Sequence, residues 1–131
     1  IYGWKLENLN HVEKNFPGID LGDWERGIGV QVTVEKTSSK INNTIAKIVK
    51  NEVYNKFPHL KILILGDKQA SYSIRNDEKI VFDDEKDIID FVDLLDVSSR
   101  MDFQGRHKLV VFFETGIRLG GRKHTVTHID L

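Results

Sequence analysis

Asp20 and Asp23 sit at the end of a short apolar run, residues 19–21, and Gln31 and Thr33 stand two positions apart in the run after it. Residues i and i+2 of a strand share a face, so the Gln31 amide and the Thr33 hydroxyl point the same way. Asp20 precedes Gln31 by eleven residues and Asp23 precedes it by eight. If the two runs pair as antiparallel neighbours, either carboxylate can converge with the amide on one point. Carboxylate, amide oxygen and backbone carbonyl are the ligands that hard divalent cations take, with water completing the shell. Mg²⁺ or Mn²⁺ held there would lower the pKa of a coordinated water and stabilise charge on a phosphate in transfer. Lys40 falls on the first turn of the helix expected next, placed to reach back over the strand end.

Each of these residues also has a plainer reading. Asp-Leu-Gly-Asp is good turn chemistry, and a strand glutamine can simply serve neighbouring backbone. Thr33 suits a strand by propensity, and a lysine at a helix start is ordinarily solvated, slightly disfavoured by the macrodipole. Other candidates fall away. Of the five histidines (11, 59, 107, 124, 128), His124 and His128 would stand roughly 13 Å apart on a strand, too far to share an ion. The stretch 116–123 has the glycine spacing of a phosphate loop, but Arg122 and Lys123 replace its lysine and hydroxyl, and no helix pattern comes after. The acids of 83–96 read as a helix N-terminus and its wet face.

The elements that must position the site are legible. Residues 4–12 alternate imperfectly, as a strand or an extended lead-in. Pro17-Gly18 turns into the strand at 19–21, and 22–27 makes a loop. The clearest strand is 27–35: Ile28, Val30, Val32 and Val34 face one side, Gly29, Gln31, Thr33 and Glu35 the other. Thr37, Ser38 and Ser39 are N-cap candidates for a helix running to about Phe57, with Ile41, Ile45, Ile48, Val49, Val53 and Phe57 in one stripe and Pro58 as its stop. Residues 60–65 read as a buried central strand. Short edge strands are expected at 71–75 and 79–82, and a short acidic helix at 87–95. Residues 109–113 have strand composition but also fit helical spacing with Ile117, so 103–115 is expected as a helix in preference to a strand, and Gly120-Gly121 resembles a hairpin connection. This order predicts an α/β fold with a mixed sheet. Residues 1–103 are expected to form a single domain and 104–131 a C-terminal extension.

With 131 residues, 40% hydrophobic, 30% charged and net charge −1, the chain is a globular domain rather than a disordered one. Its longest apolar run, residues 109–113, is far short of the roughly 20 a bilayer requires; exposed, that run would be a place for self-association. Having no cysteine removes disulfides, thiol nucleophiles and cysteine zinc sites, and fits a reducing cytoplasm. The opening residue, Ile1, leads us to expect that the start of the chain is missing. Charge is segregated along the sequence: 36–61 carries six lysines against one glutamate, 83–96 seven acids against one lysine, and the tail after Gln104 turns basic. That pattern allows a basic face without requiring one.

Residues 6–10 (Leu-Glu-Asn-Leu-Asn), 17–23 (Pro-Gly-Ile-Asp-Leu-Gly-Asp), 29–33 (Gly-Val-Gln-Val-Thr) and 40–45 (Lys-Ile-x-x-Thr-Ile), in this order, resemble the SMEK domain family of bacteria. The later segments 60–65, 71–75 and 87–95 extend the resemblance over about residues 2–100. More distantly, the arrangement is similar to the PD-(D/E)XK nuclease superfamily, whose fold is a restriction-endonuclease-like core. The resemblance implies Asp20, with Asp23 as its rival, for the first acid, Gln31 for the second metal ligand, and Val32 for its buried spacer. Thr33 stands where that superfamily has a lysine, so Lys40 would supply the amine from the helix. The superfamily's helix before the first strand, often bearing a supporting glutamate, has no counterpart here. The function this resemblance implies is that of a Mg²⁺- or Mn²⁺-dependent nuclease-like domain acting on nucleic acid, DNA first. It would serve as the effector module of a bacterial defence protein, acting alone, as a homo-oligomer or with a partner protein. The competing expectation is the same fold without catalysis, used for nucleic-acid binding or protein assembly.

Overall fold

The computed structural model describes residues 3–9, 16–99 and 128–130. Two strands at its centre arise from opposite patterns. β3 (Ile28–Thr33) alternates bulky and small residues, whereas β4 (His59–Ile64) is almost continuously apolar. They run parallel, with Val30 beside Lys61 and Val32 beside Leu63. The chain between them supplies α1 (Ser38–Lys50) as the crossover. β2 (Leu21–Asp23) lies antiparallel to β3, and β1 (Lys5–Asn8) antiparallel to β2. β5 (Ile88–Ile89) extends the parallel side and β6 (His128–Asp130) the antiparallel side. The sheet order is therefore β5-β4-β3-β2-β1-β6, a mixed sheet in an α/β fold.

Both faces are apolar. On one, Leu6, Leu21, Val30, Val32 and Leu63 pack with Trp4 and with Leu94 of α2 (Phe91–Ser99). On the other, Ile41, Ile45 and Ile48 of α1 press on Leu60, Ile62, Ile64 and Phe57. Burial on both sides is what parallel strands in such a layer require. No helix among the described residues is long and apolar enough to cross a membrane.

Several elements differ from expectation, each for a local reason. α1 begins where expected, with the Thr37 hydroxyl accepting from the Lys40 N–H at 3.2 Å, but it stops at Lys50 rather than near Phe57. Asn51 closes it through backbone and side-chain bonds to the Lys47 carbonyl. Glu52 then turns left-handed (φ 54°) and a 3-10 turn, Val53–Asn55, brings Val53 and Phe57 back to the core. The apolar stripe continues although the α-helix does not. A non-glycine residue in that conformation costs about 1–2 kcal/mol, while glycine adds chain entropy of about 0.5–1 kcal/mol to the unfolded state. Glu52→Gly is therefore expected to raise stability by about 0.5–1 kcal/mol in urea titrations; a loss would show that the Glu52 side chain carries a contact worth more than the strain.

Residues 71–75 form no strand. The Ser73 N–H donates to the Ser38 hydroxyl, Asn42 Nδ2 donates to the Ser73 carbonyl, and the Arg75 N–H donates to Asn42 Oδ1. The segment is a strap tied to α1 by side chains rather than by a sheet ladder. In 79–82 only Val81 touches a strand, as a parallel bridge to His59. The segment 87–95 divides into β5 and the start of α2, whose N-terminus is capped by Asp90 and Asp93 accepting from each other's N–H. The strand expected at 19–21 is shifted to β2, and Val34, past the end of β3, is 75% exposed. The helix expected at 103–115, the Gly120-Gly121 hairpin, the apolar run 109–113 and the stretch 116–123 lie outside the described residues, as do His11, His107 and His124.

Candidate functional site

The site is a notch where β2 leaves β3. The Asp20 N–H donates to the Val30 carbonyl at 2.8 Å, continuing the β2–β3 pairing one residue past the start of β2. Beyond it, the next β3 groups that face β2 are those of Val32. Side chains take them instead: the Val32 N–H donates to Asp20 Oδ2 at 2.8 Å, and Gln31 Nε2 donates to the Val32 carbonyl at 3.0 Å. Gln31 Nε2 also donates to Asp20 Oδ2 at 2.9 Å. Because both partners of this nitrogen are acceptors, the network itself assigns the amide orientation. Carboxylate, amide and the Val32 carbonyl thus meet within one hydrogen-bonded triangle.

Its position in the sheet matters. β3 has a parallel neighbour on one side and an antiparallel one on the other, and the notch lies at its carboxyl end, beside the start of α1. Open α/β sheets place ligands outside the carboxyl ends of their parallel strands, where the topology switches. Lys40, half-buried on the first turn of α1, acts on Asp20 electrostatically. Burial is the largest influence on Asp20 and raises its pKa above the ordinary 3.8, while the Val32 N–H and the Lys40 charge pull the other way and do not prevail.

Asp23 is elsewhere. Gly22 and Gly29 look toward Phe57 on the α1 side, so Asp23, the next residue along β2, takes the opposite face. Its carboxylate, 1% exposed, accepts from the Lys5 N–H and the Arg26 N–H, both at 2.9 Å, and from the Arg26 guanidinium at 3.1 Å. Burial works to raise its pKa, but these donors overcome it and hold the carboxyl below 3.8. Asp23 pins the start of β1 to the turn after β2. Thr33 Oγ1 accepts from the Glu35 N–H at 2.9 Å, closing the turn toward α1. The structure brings together Asp20, Gln31 and, through its charge, Lys40; it does not bring Asp23 to them.

A half-buried ion pair escaped the sequence reading. Lys61, in the middle of β4, pairs with Asp87 and lies 5.4 Å from the centre of the Trp4 ring, while Asp87 Oδ2 accepts from the Asp83 N–H. A single lysine inside an otherwise apolar strand was the available signal; its partner lies 26 residues on.

Among the described residues no three of His, Cys, Asp and Glu group so as to hold a metal ion. The notch offers one carboxylate with two amide groups, a donor set that fits a hard cation in kind, since Mg²⁺ is commonly held by one or two carboxylates plus waters and substrate oxygens. The Gln31 amide presents nitrogen to Asp20, so serving as a ligand requires its oxygen to take that place.

No curated protein and no solved structure shows significant similarity to the chain. The SMEK domain model, however, matches residues 1–99, which takes in β1 to β5, α1, α2 and the whole notch, and on that match the chain belongs to the SMEK domain family.

Proposed function

We propose that this domain is a divalent-metal-dependent phosphodiester hydrolase, a PD-(D/E)XK-like nuclease module with a restriction-endonuclease-like core, acting on nucleic acid, DNA first, as the effector of a bacterial defence protein. The observation that carries the reading is the 2.9 Å contact between Asp20 and Gln31 at the carboxyl end of β3, with Lys40 in electrostatic reach. When bound, Mg²⁺ or Mn²⁺ supplies Lewis acidity toward a phosphoryl oxygen. Asp20, the Gln31 amide and the Val32 carbonyl are the groups that would hold it. Asp20 is a carboxylate partly withdrawn from water that makes no direct ion pair among the described residues, so a cation beside it gains more than it would beside a solvated acid. Lys40 neutralises charge building on the phosphate.

A second reading has its own support. The contacts that assemble the triangle also complete the hydrogen bonding of Val32, the Gln31 nitrogen faces Asp20, and the Thr33 hydroxyl is engaged by Glu35. A domain that kept this fold for binding or assembly would need nothing more of those residues.

Incubating the full chain with plasmid DNA and with RNA, in Mg²⁺ or Mn²⁺ and again with EDTA, separates the two. Metal-dependent cleavage is expected to fall about 100-fold or more in Asp20→Asn, a loss of order 3 kcal/mol in transition-state stabilisation. Lys40→Ala is expected to lower it as well. Stability of Asp20→Asn at pH 7 is expected to stay within about 1 kcal/mol of the parent, because the amide oxygen still accepts from Val32. Folded protein that cuts neither substrate in either metal sinks the hydrolase and leaves the binding module. Cleavage that survives Asp20→Asn sinks the assigned site.

A further inference from the structure

We infer that the outer edge of α1 is a track for the sugar–phosphate backbone of a nucleic acid, leading into the Asp20–Gln31 notch. Lys40, Asn43, Lys47 and Lys50 recur at i, i+3, i+7 and i+10, one stripe along the helix, away from the buried stripe of Ile41, Ile45 and Ile48. Lys36 precedes the N-cap, and no acid occurs from Lys36 to Asn51. The strap at 71–75, tied down by Asn42, brings Arg75 alongside, where it shares with Asn43 and Lys50 a groove of about 460 Å³ that also contains Asp77.

Two observations set this apart from an ordinary solvated helix face. Such faces usually mix signs, because like charges three or four positions apart destabilise a helix by a few tenths of a kcal/mol. Here Lys47 and Lys50 are like-charge neighbours three positions apart, and no acid falls anywhere in α1. Three cations of other elements have partners: Arg26 pairs with Asp23, Lys61 with Asp87, Lys68 with Asp93. Among the described residues, Lys36, Lys40, Lys47, Lys50 and Arg75 make no ion pair. Lys40, on the first turn of α1, also stands at the positive end of the helix dipole, and a polyanion is the partner that matches the pattern.

Dimensions agree. From Lys40 to Lys50 the helix rises about 15 Å at 1.5 Å per residue, roughly four steps of a DNA strand at 3.4 Å each. The net charge of −1, with acids concentrated at 83–96, gives the molecule no general attraction for nucleic acid, so binding depends on local basic patches such as this face. The direction of the track, toward Asp20, rests on the hydrolase reading; the track itself does not.

The test is binding without chemistry. The full chain is titrated in EDTA into a short labelled DNA duplex and, separately, a single-stranded RNA, at salt from about 50 to 200 mM. With four phosphate contacts the logarithm of affinity should fall against the logarithm of salt with a slope near −3 to −4 for the duplex. Lys47→Ala combined with Lys50→Ala, both good helix substitutions, should reduce that slope by about 2 and weaken binding about tenfold or more at 0.1 M salt. Lys86→Ala, an exposed lysine off the stripe, should change neither. Whichever of DNA or RNA binds with this dependence identifies the source of the phosphates. Unchanged binding by the double variant with an unchanged circular dichroism spectrum overturns the track, as does failure of the parent to bind either polymer at the lowest salt. Binding that obeys these slopes without any cleavage in metal overturns only the hydrolase.

Discussion

Phe57→Ala is expected to destabilise the domain by about 3–5 kcal/mol, the range for truncating a fully buried aromatic side chain. The ring is 0% exposed, meets Phe16 edge-to-face with centroids 5.6 Å apart, and lies 4.8 Å from the Trp24 ring. Its seat is a floor of two glycines that face each other across β2 and β3, Gly22 and Gly29. A Cβ on Gly22 would come within 2.6 Å of two ring carbons, a distance at which something must move, and the ring is already held from three sides. Gly22→Ala is accordingly expected to cost about 1–3 kcal/mol. The pair tests the contact itself. Gly22→Ala in a Phe57→Leu background should lose much less than in the parent, giving a coupling of about 0.5–3 kcal/mol in urea denaturation. Additive losses would show that Phe57 does not rest on Gly22. Since Gly22 is two residues from Asp20, a backbone shift there should also disturb the notch, and the activity of Gly22→Ala should fall further than its stability alone explains.

That glycine floor shows how far the sequence could be read. The alternation of 27–35 announced β3, and small residues on one of its faces were visible; what they made room for was not, because Phe57 arrives from a turn 28 positions beyond Gly29. α1 could be placed at its start, where Thr37 is chemically suited to cap, but not at its end. Val53 and Phe57 keep the apolar spacing while the backbone departs through a left-handed Glu52, and periodicity reports faces rather than hydrogen bonds. The strap at 71–75 has strand composition, yet its partners are the side chains of Ser38 and Asn42, more than 30 residues earlier. In the notch, the meeting of Asp20 and Gln31 came from two strands pairing antiparallel. Choosing between Asp20 and Asp23 needed the face each occupies. An odd separation of three along an extended chain puts them on opposite sides, and the donors waiting for Asp23, on Lys5 and Arg26, belong to the far face.

Asp23→Ala is expected to cost about 3 kcal/mol at neutral pH, because it strips the Lys5 and Arg26 N–H groups of their acceptor in a site closed to water. Arg26, 40% exposed on its side chain, can turn its guanidinium to solvent and adds little to that loss. The effect should vary with pH in a direction the donors dictate. Asp23 has a folded pKa below 3.8, so the native state binds its proton more weakly than the unfolded chain does. Its stabilisation is complete above about pH 5 and is lost as pH falls through 3.8 toward the folded value, at up to about 1.4 kcal/mol per pH unit. Asp90, held below 3.8 by the N–H groups of Asp93 and Lys68 against the opposing pull of burial, contributes with the same sign. Asp20 has the opposite sign: burial raises its folded pKa, so it lowers stability as pH rises from 3.8 through that value, and the penalty persists at neutrality. Urea midpoints measured from pH 2 to 7 should therefore flatten below about pH 4 in Asp23→Ala and rise more steeply just above 3.8 in Asp20→Asn. Two aspartates three residues apart are expected to move one curve in opposite directions, and parallel curves for the parent and both variants would mean that neither carboxyl feels the environment its contacts describe.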